Sequence, residues 1–507
     1  MLLRRSAALT LLVLTAFAAL ASSGANANEP PLAPDVVAVE THPFSAIVKW
    51  SVPQAARVVL EVGVDDRYGI WSQPTTANST SLTSRTTLAG LEPATSYKFR
   101  VVARWRNGTK AEAHGSFRTS PWPGSTAATA VPAAADAAAS AGSSGSSGSP
   151  FVLPPPLPPG VAPGTPTPAP TTPTKGVLPT GAPLVESSSP LRVNGNPVFP
   201  RMVWRQCPTY YPTSIGAGIN LFLGVSCTDT DEQFDKLAGR AMSTVDAHTP
   251  GVSGPGRVGW HLQDEADVSV GDAKKLPQPE AAGQVTFLTL TDHFSDRAAP
   301  PPNGKEIYPA FFESADVIGF DTYPVEVRCN LGLIDNVYWM QREIIALTKG
   351  KPTFQWIEAG PMEHCRHNQD PTPEVVRAET WLAIAGGARG IGYFPDWWEE
   401  SIRNEVRLTN REILALAPAL LAPVAKAHWS AQNPVRIGAR RYNGATYIVA
   451  VNTSTSQATV GFTVPGLGGR LLRVFRDGRL VKPFGDLVTD KLPGLGVAVY
   501  VVPPAGW

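Results

Sequence analysis

The chain has 507 residues, and 43 Lys and Arg face 42 Asp and Glu for a formal net charge of +1. A chain so close to neutral lacks the basic surface that nucleic-acid binding needs, which excludes that class of partner. Its length sets an expectation of about three or four domains, and its 13 Trp suit sugar-ring platforms as well as core packing.

The first segment reads as an export signal. Arg4 and Arg5 precede an apolar run from Ala7 to Ala21, and a small-residue stretch ends in Ala25-Asn26-Ala27. This is the pattern of a signal peptide over residues 1–27, cleaved after Ala27. The apolar run is shorter than the roughly 20 residues of a membrane span, and no comparable run follows. The mature chain is therefore expected to have no membrane span and to be secreted, extracellular or associated with the cell surface. An uncleaved anchor is the competing reading.

Residues 31–120 carry short alternating segments. Ala46-Ile47-Val48-Lys49-Trp50 and Val58-Val59-Leu60-Glu61-Val62 look like strands. A turn at Glu92-Pro93-Ala94-Thr95 then feeds an alternating strand whose first aromatic is Tyr97. In a sandwich such a tyrosine can return its hydroxyl to the backbone upstream, the tyrosine corner. The run Gly90-Leu91-Glu92-Pro93-x-Thr95-x-Tyr97 resembles a fibronectin type III domain, with Trp50 as its buried aromatic. That resemblance implies a spacer or a weak glycan-binding module. Residues 121–185 follow as a linker, first Ala-rich, then Gly/Ser-rich, then Pro/Thr-rich. Such a composition buries too little apolar surface to offset chain entropy.

Residues 186–427 alternate strands with helices, which predicts a parallel sheet. Eight segments are strand candidates, most of them apolar as strands buried on both faces should be and the third polar: Val198–Trp204, Ile219–Val225, Ser243–Ala247, Val258–Leu262, Val285–Leu290, Val317–Phe320, Thr353–Ile357 and Gly390–Phe394. Capping boxes are read at Thr230-Asp231-Glu232-Gln233 and at Thr409-Asn410-Arg411-Glu412, the second opening a helix through Leu416. Thr372-Pro373 marks another helix start, and Tyr338 to Thr348 has helical spacing. The expected architecture is a (β/α)8 TIM barrel, small and irregular around its fourth strand.

Chemistry in such a barrel sits at the C-terminal strand ends. The fourth strand ends in Asp264-Glu265, the fifth in Thr291-Asp292-His293 and the sixth in Asp321-Thr322-Tyr323. The seventh ends in Glu358, and the eighth in Asp396-Trp397-Trp398. Hydrolysis of a glycosidic bond needs two carboxyl groups, one to protonate the leaving oxygen and one to stabilise or attack the anomeric carbon. The pattern resembles the clan of retaining glycoside hydrolases with catalytic Glu on barrel strands four and seven. A strand-turn-strand at Leu191 to Phe199 leads into the barrel as it does in that clan.

The resemblance implies Glu265 as acid/base and Glu358 as nucleophile. It also implies Tyr323 as the aromatic beside the nucleophile, and Trp397 or Trp398 as the floor of a sugar subsite. This chain has Asp264 where the clan commonly has Asn. That leaves open that Asp264 tunes Glu265, or is itself the catalytic group. Asp321 and Asp396 are read either as substrate ligands or as loop caps. His293 is a candidate for the pocket lining, and His261 reads as packed.

Four cysteines in an exported chain allow two disulfides. Cys207 and Cys227 follow strands one and two, and Cys329 and Cys365 follow strands six and seven. Neighbouring strands place these loops side by side, so Cys207–Cys227 and Cys329–Cys365 are the expected pairs. His364, Cys365 and His367 lack a second ligand pair nearby, so no metal is expected, and no cofactor either.

Residues 428–507 alternate again, with a hairpin turn at Asn443-Gly444 and strands at Gln457–Thr463, Leu471–Arg476 and Val497–Val502. This predicts a C-terminal antiparallel β-sandwich without chemistry of its own.

The leading reading is a monomeric glycosidase acting on a polysaccharide or glycoconjugate. The alternatives are a catalytically inactive barrel that binds glycans, and another class of barrel enzyme such as a transglycosylase or esterase. No Gly-x-Ser-x-Gly elbow supports an esterase.

Overall fold

The computed structural model describes residues 33–78, 81–121, 188–247, 257–279, 284–362, 364, 365, 370–395, 398–425, 428, 429 and 434–507. The signal-peptide segment, residues 122–185 of the linker, and the candidates Asp396 and Trp397 lie outside the described residues.

The first region is a pair of antiparallel sheets. One joins Asp35–Thr41, Ser45–Ser51 and Thr83–Ala89. The other joins Ile70–Trp71, Ala56–Gly63, Ser96–Arg104 and Lys110–Arg118. Ala46, Val48 and Trp50 alternate into the core between them, and Trp50 Nε1 donates to Thr86 Oγ1 at 3.0 Å. The Tyr97 hydroxyl accepts from the Glu92 amide at 2.9 Å, so the tyrosine corner forms.

The middle region is a closed parallel barrel of eight strands. They are β1 (Arg201–Trp204), β2 (Leu221–Leu223), β3 (Met242–Asp246), β4 (Arg257–Gln263), β5 (Val285–Leu290), β6 (Val317–Asp321), β7 (Thr353–Glu358) and β8 (Ile391–Phe394). β8 returns to pair with β1. Met202, Leu221, Met242, Phe287, Phe354 and Trp356 belong to one buried cluster, while the alternate residues Val203, Phe222 and Ile357 join the cluster packed with the helices. Gly259 lets β4 approach β5, since a Cβ there would sit 1.9 Å from the Val285 carbonyl oxygen.

Five main helices surround the barrel: α1 (Thr230–Leu237), α2 (Tyr308–Ser314), α3 (Asp335–Leu347), α4 (Pro373–Gly386) and α5 (Glu400–Leu420). After β4 there is only a single turn, Ala266–Ser269, then a 3-10 turn, Ala273–Lys275. This is the irregular side that the proline-rich sequence foretold. Thr372 caps α4 as expected, accepting from the Val375 amide. The cap of α1 is Asp229 rather than Thr230; its carboxylate takes the Glu232 amide at 2.8 Å.

The capping box at Thr409 does not start a helix. Thr409 lies inside α5, where its hydroxyl serves a buried network with Glu405 and Arg377. That tertiary use overrides the local cap signal.

The last region has a five-stranded sheet built on the Asn443-Gly444 hairpin and the strand Val497–Val502. It packs against a three-stranded sheet that includes Ala458–Thr463 and Leu487–Leu492. The whole chain is thus a TIM barrel with antiparallel β layers on either side. Among the described residues no helix is long and apolar enough to cross a membrane.

The first region is docked on the barrel. Arg201, the first residue of β1, is 2% exposed at its side chain and grips Glu92 at 2.8 and 2.9 Å. Asn220, just before β2, adds a bond to Glu92 at 3.1 Å. These contacts lie at the N-terminal ends of the strands. That is the face opposite the one where barrel chemistry occurs.

Candidate active site

Both expected disulfides form, with Cα separations of 5.0 Å for Cys207–Cys227 and 5.7 Å for Cys329–Cys365. Each ties two loops that leave neighbouring strands at the C-terminal face. A loop constrained at both ends has less freedom to collapse over the mouth.

The backbone of β4 is arranged to present its terminal carboxylates. Its pairing with β5 shifts register between His261 and Gln263, which breaks the simple in–out alternation there. Glu265 then adopts φ 43° and ψ 48°, a left-handed conformation uncommon outside glycine. Its carbonyl is captured at once by the amides of Val268 and Ser269, at 3.0 and 2.8 Å. Strained conformations of this kind collect at working sites.

Three carboxyl groups meet at this end of the barrel. The Glu265 and Asp321 carboxyls lie close enough to shift each other's titration. Burial, then the Glu265 charge, pushes the Asp321 carboxyl well above the ordinary carboxylate range. Burial, then the Asp264 charge, raises Glu265 too, while Asp321 pulls it down. Burial also raises Asp264, against the opposing pull of His261 and Arg205. Among the described residues no ion pair reaches Asp264, Glu265 or Asp321. Neighbouring like charges disfavour ionising all three together. Glu265 is itself exposed, and Asp264 and Asp321 are half-buried.

The rest of the mouth surrounds this group. Arg205, after β1, is exposed, lies 5.1 Å from the centre of the Trp204 ring and pairs with Asp246 at 2.9 Å. Gly224 makes room for it: at φ 77°, a Cβ there would sit 2.9 Å from Arg205 Cγ. Trp204 meets His261 edge-on at 4.8 Å and Trp356 at 5.6 Å. His261 is packed, as expected, with Nδ1 3.4 Å from Asp246. Asp292 is buried and held by Arg328 at 2.6 Å and Thr322 at 3.0 Å. His293 is half-buried, with Nδ1 3.0 Å from Thr291 Oγ1. Tyr323 stacks on Phe394 at 6.1 Å and lies within electrostatic reach of Asp321, Asp264 and Glu265.

Glu358 stands apart from this cluster. It is fully buried, and its two oxygens accept from the amides of Val325 and Glu326 at 2.9 and 2.7 Å. Its other neighbour is Glu379 of α4, whose carboxyl is raised well above the usual range by burial and then by Glu358. The β6 carboxyl that acts on the titration of Glu265 is Asp321.

Trp398 is enclosed as well. It is buried, donates from Nε1 to Ser214 Oγ at 3.0 Å and packs on Tyr393. Reading the strand ends alone did not single out Arg205, Asp246 or Asp292. All three sit at or just past strand ends, so that position was their available signal.

No family model and no curated protein matches this sequence. Solved structures similar to it are glycoside hydrolases. A GH30 endoxylanase from Clostridium papyrosolvens overlaps at 12% identity and TM-score 0.38, covering 63% of this chain and 98% of that one. An α-amylase from Geobacillus thermoleovorans overlaps at 9% identity and TM-score 0.38, covering 60% and 98%. An α-galactosidase from Mortierella vinacea overlaps at 11% identity and TM-score 0.36, covering 60% and 97%. Overlaps this distant carry no statement about residues or reaction. The barrel rests on this chain's own strand pairing.

Proposed function

We propose that the protein is a secreted glycoside hydrolase that cleaves an O-glycosyl bond of a polysaccharide or glycoconjugate. The observation that carries this reading is the carboxyl couple Glu265–Asp321 at the open end of the barrel. In this reading Asp321 holds the proton and Glu265 is ionised. Asp321 gives its proton to the leaving glycosidic oxygen. Glu265 attacks the anomeric carbon and forms a glycosyl ester. Water, deprotonated by the Asp321 carboxylate, then releases the sugar and returns the proton. Two inversions at the anomeric carbon leave its configuration retained. Asp264 tunes the couple by its charge, and Arg205 and Trp204 offer hydroxyl and ring contacts to the substrate.

The strand-four and strand-seven pairing, with Glu358 as nucleophile, is the second reading. It draws support from Tyr323, which feels the charges of both Glu265 and Glu358. In both readings the first sandwich is a fibronectin type III-like spacer, since it grips the face away from the mouth.

A panel of aryl-glycosides and polysaccharides tests the proposal, with the first-formed anomer followed by proton NMR. We expect hydrolysis of at least one glycoside with retention, lost in Asp321→Asn and kept in Glu358→Gln. Loss in Glu358→Gln with activity kept in Asp321→Asn establishes the second reading. Binding of glycans with no hydrolysis of any overturns both.

A further inference from the structure

A second cleft lies far from the barrel mouth, between the first sandwich and the five-stranded C-terminal sheet. Its volume is about 410 Å³, within the ~300–1,000 Å³ usual for small-ligand sites. Trp71 and Trp507 form part of the wall, with ring centres 6.4 Å apart. Leu471 and Leu480 line it too and are 46% and 60% exposed, unusual for large aliphatic side chains.

The charge of the lining is unbalanced. Its two carboxylates, Glu61 and Glu112, both bind Arg100, at 2.9 and 3.0 Å. Three other guanidinium groups have no carboxylate partner among the described residues. Arg470 is held by the carbonyls of Leu467, Pro503 and Gly466. Arg104 reaches the Gly506 carbonyl at 2.9 Å and lies 5.5 Å from the Trp507 ring centre. Among the described residues the Arg473 side chain makes no hydrogen bond or ion pair; burial lowers its pKa, and the Glu61 charge opposes that. A half-buried cation whose neighbouring carboxylate, Glu61, is already bound to Arg100 is costly unless something else supplies more negative charge.

We propose that this cleft binds an acidic saccharide, a uronic-acid chain whose carboxylate is taken by Arg473 and Arg104 and whose ring faces rest on the apolar wall. A guanidinium offers a planar donor pair that matches a carboxylate, and aromatic and aliphatic walls suit the C–H faces of a sugar. The choice of a saccharide rests on the glycosidase reading of the barrel. On that reading, the cleft holds an acidic polymer while the mouth cleaves it or a neighbouring chain.

Calorimetric titration of the whole protein tests this with three probes: tetragalacturonate, its methyl ester and sodium sulfate. The acid is expected to bind, and the ester at least tenfold more weakly. Arg473→Gln and Arg104→Gln should each weaken the acid by at least tenfold, with thermal unfolding and aryl-glycoside hydrolysis unchanged. Glu265→Gln should leave the affinity as it was, so a failure of the glycosidase reading and a failure of this one are read separately. Equal affinity for acid and ester overturns the proposal. So does sulfate binding as tightly as the oligomer, or unchanged affinity in both arginine variants. If neither variant folds, wild-type binding that ignores added salt has the same force.

Discussion

Two carboxyl couples occupy the C-terminal half of the barrel, and they differ in one respect that matters. Glu265 and Asp321 meet at the open end, where Glu265 is exposed. Glu358 and Glu379 meet between β7 and α4, where both are fully buried. Burial raises the pKa of all four. A mutual shift of titration is common to both couples; access is not. A raised carboxyl is therefore a candidate for catalysis only where a substrate can reach it.

The sharpest way to break this comparison is to remove the proton donor at the mouth. Asp321→Asn and Glu265→Gln should each lower kcat by about 10²–10⁴-fold, as loss of a general acid or base does. The thermal midpoint should hold or rise, because each change relieves crowding among like charges. A fall in stability that matched the fall in rate would make the open couple structural and erase the contrast. The pH profile adds a sign. Activity needs Asp321 protonated, so the alkaline limb should lie above the ordinary carboxylate range and vanish from Asp321→Asn.

A buried charge with its proper partner gives the reference case. Glu92→Ala leaves Arg201 inside without a carboxylate, at a cost of about 3–5 kcal/mol. Thermal unfolding should fall accordingly, while kcat on a small aryl-glycoside changes little. Undiminished stability would show that the first region is merely adjacent to the barrel. The closed couple should behave like this interface. Glu358→Ala strips the acceptor from two buried amides, which costs about 2–4 kcal/mol in stability. Its effect on kcat, measured well below the unfolding temperature, should stay within about tenfold, or ~1.4 kcal/mol.

The eight barrel strands were legible because buried parallel strands are short apolar runs, and each appears within a few residues of its expected place. The disulfide pairs followed from strand adjacency alone. Side-chain direction at strand ends did not follow. Glu358 ends β7 and Glu265 lies two residues past β4, yet the loop after β6 folds back and offers Glu358 two amides. Nothing local in Gln355-Trp356-Ile357-Glu358 announces that. At β4 the register shift and the left-handed Glu265 re-aim the terminus, and both are tertiary features. Trp398 read as a sugar platform from its place after strand eight; here Ser214 and Tyr393 enclose it. The misread helix start at Thr409 has the same cause, a polar side chain recruited by a distant partner.

The smallest expected effect lies between the two couples. Glu326 follows β6, is 1% exposed and accepts from the Met362 amide at 2.9 Å. Burial, with help from the charges of Glu358 and Asp370, raises its pKa from 4.5 to about 7 despite that amide. Below the ordinary value both the folded and the unfolded chain hold the proton, so the residue exacts no penalty. As pH rises, the unfolded chain ionises first, and stability is lost until the folded carboxyl also ionises near 7. Above that the deficit is constant. Glu326→Gln cannot ionise and still offers Met362 an acceptor. Its unfolding curve should coincide with wild type near pH 3 and show a gain of about 1 kcal/mol by pH 5.5 that keeps growing until pH 7. An offset equal at every pH would mean that the glutamine acts through packing. The closed couple and its neighbour would then be ordinary polar filling, and the contrast with the mouth would rest on access alone.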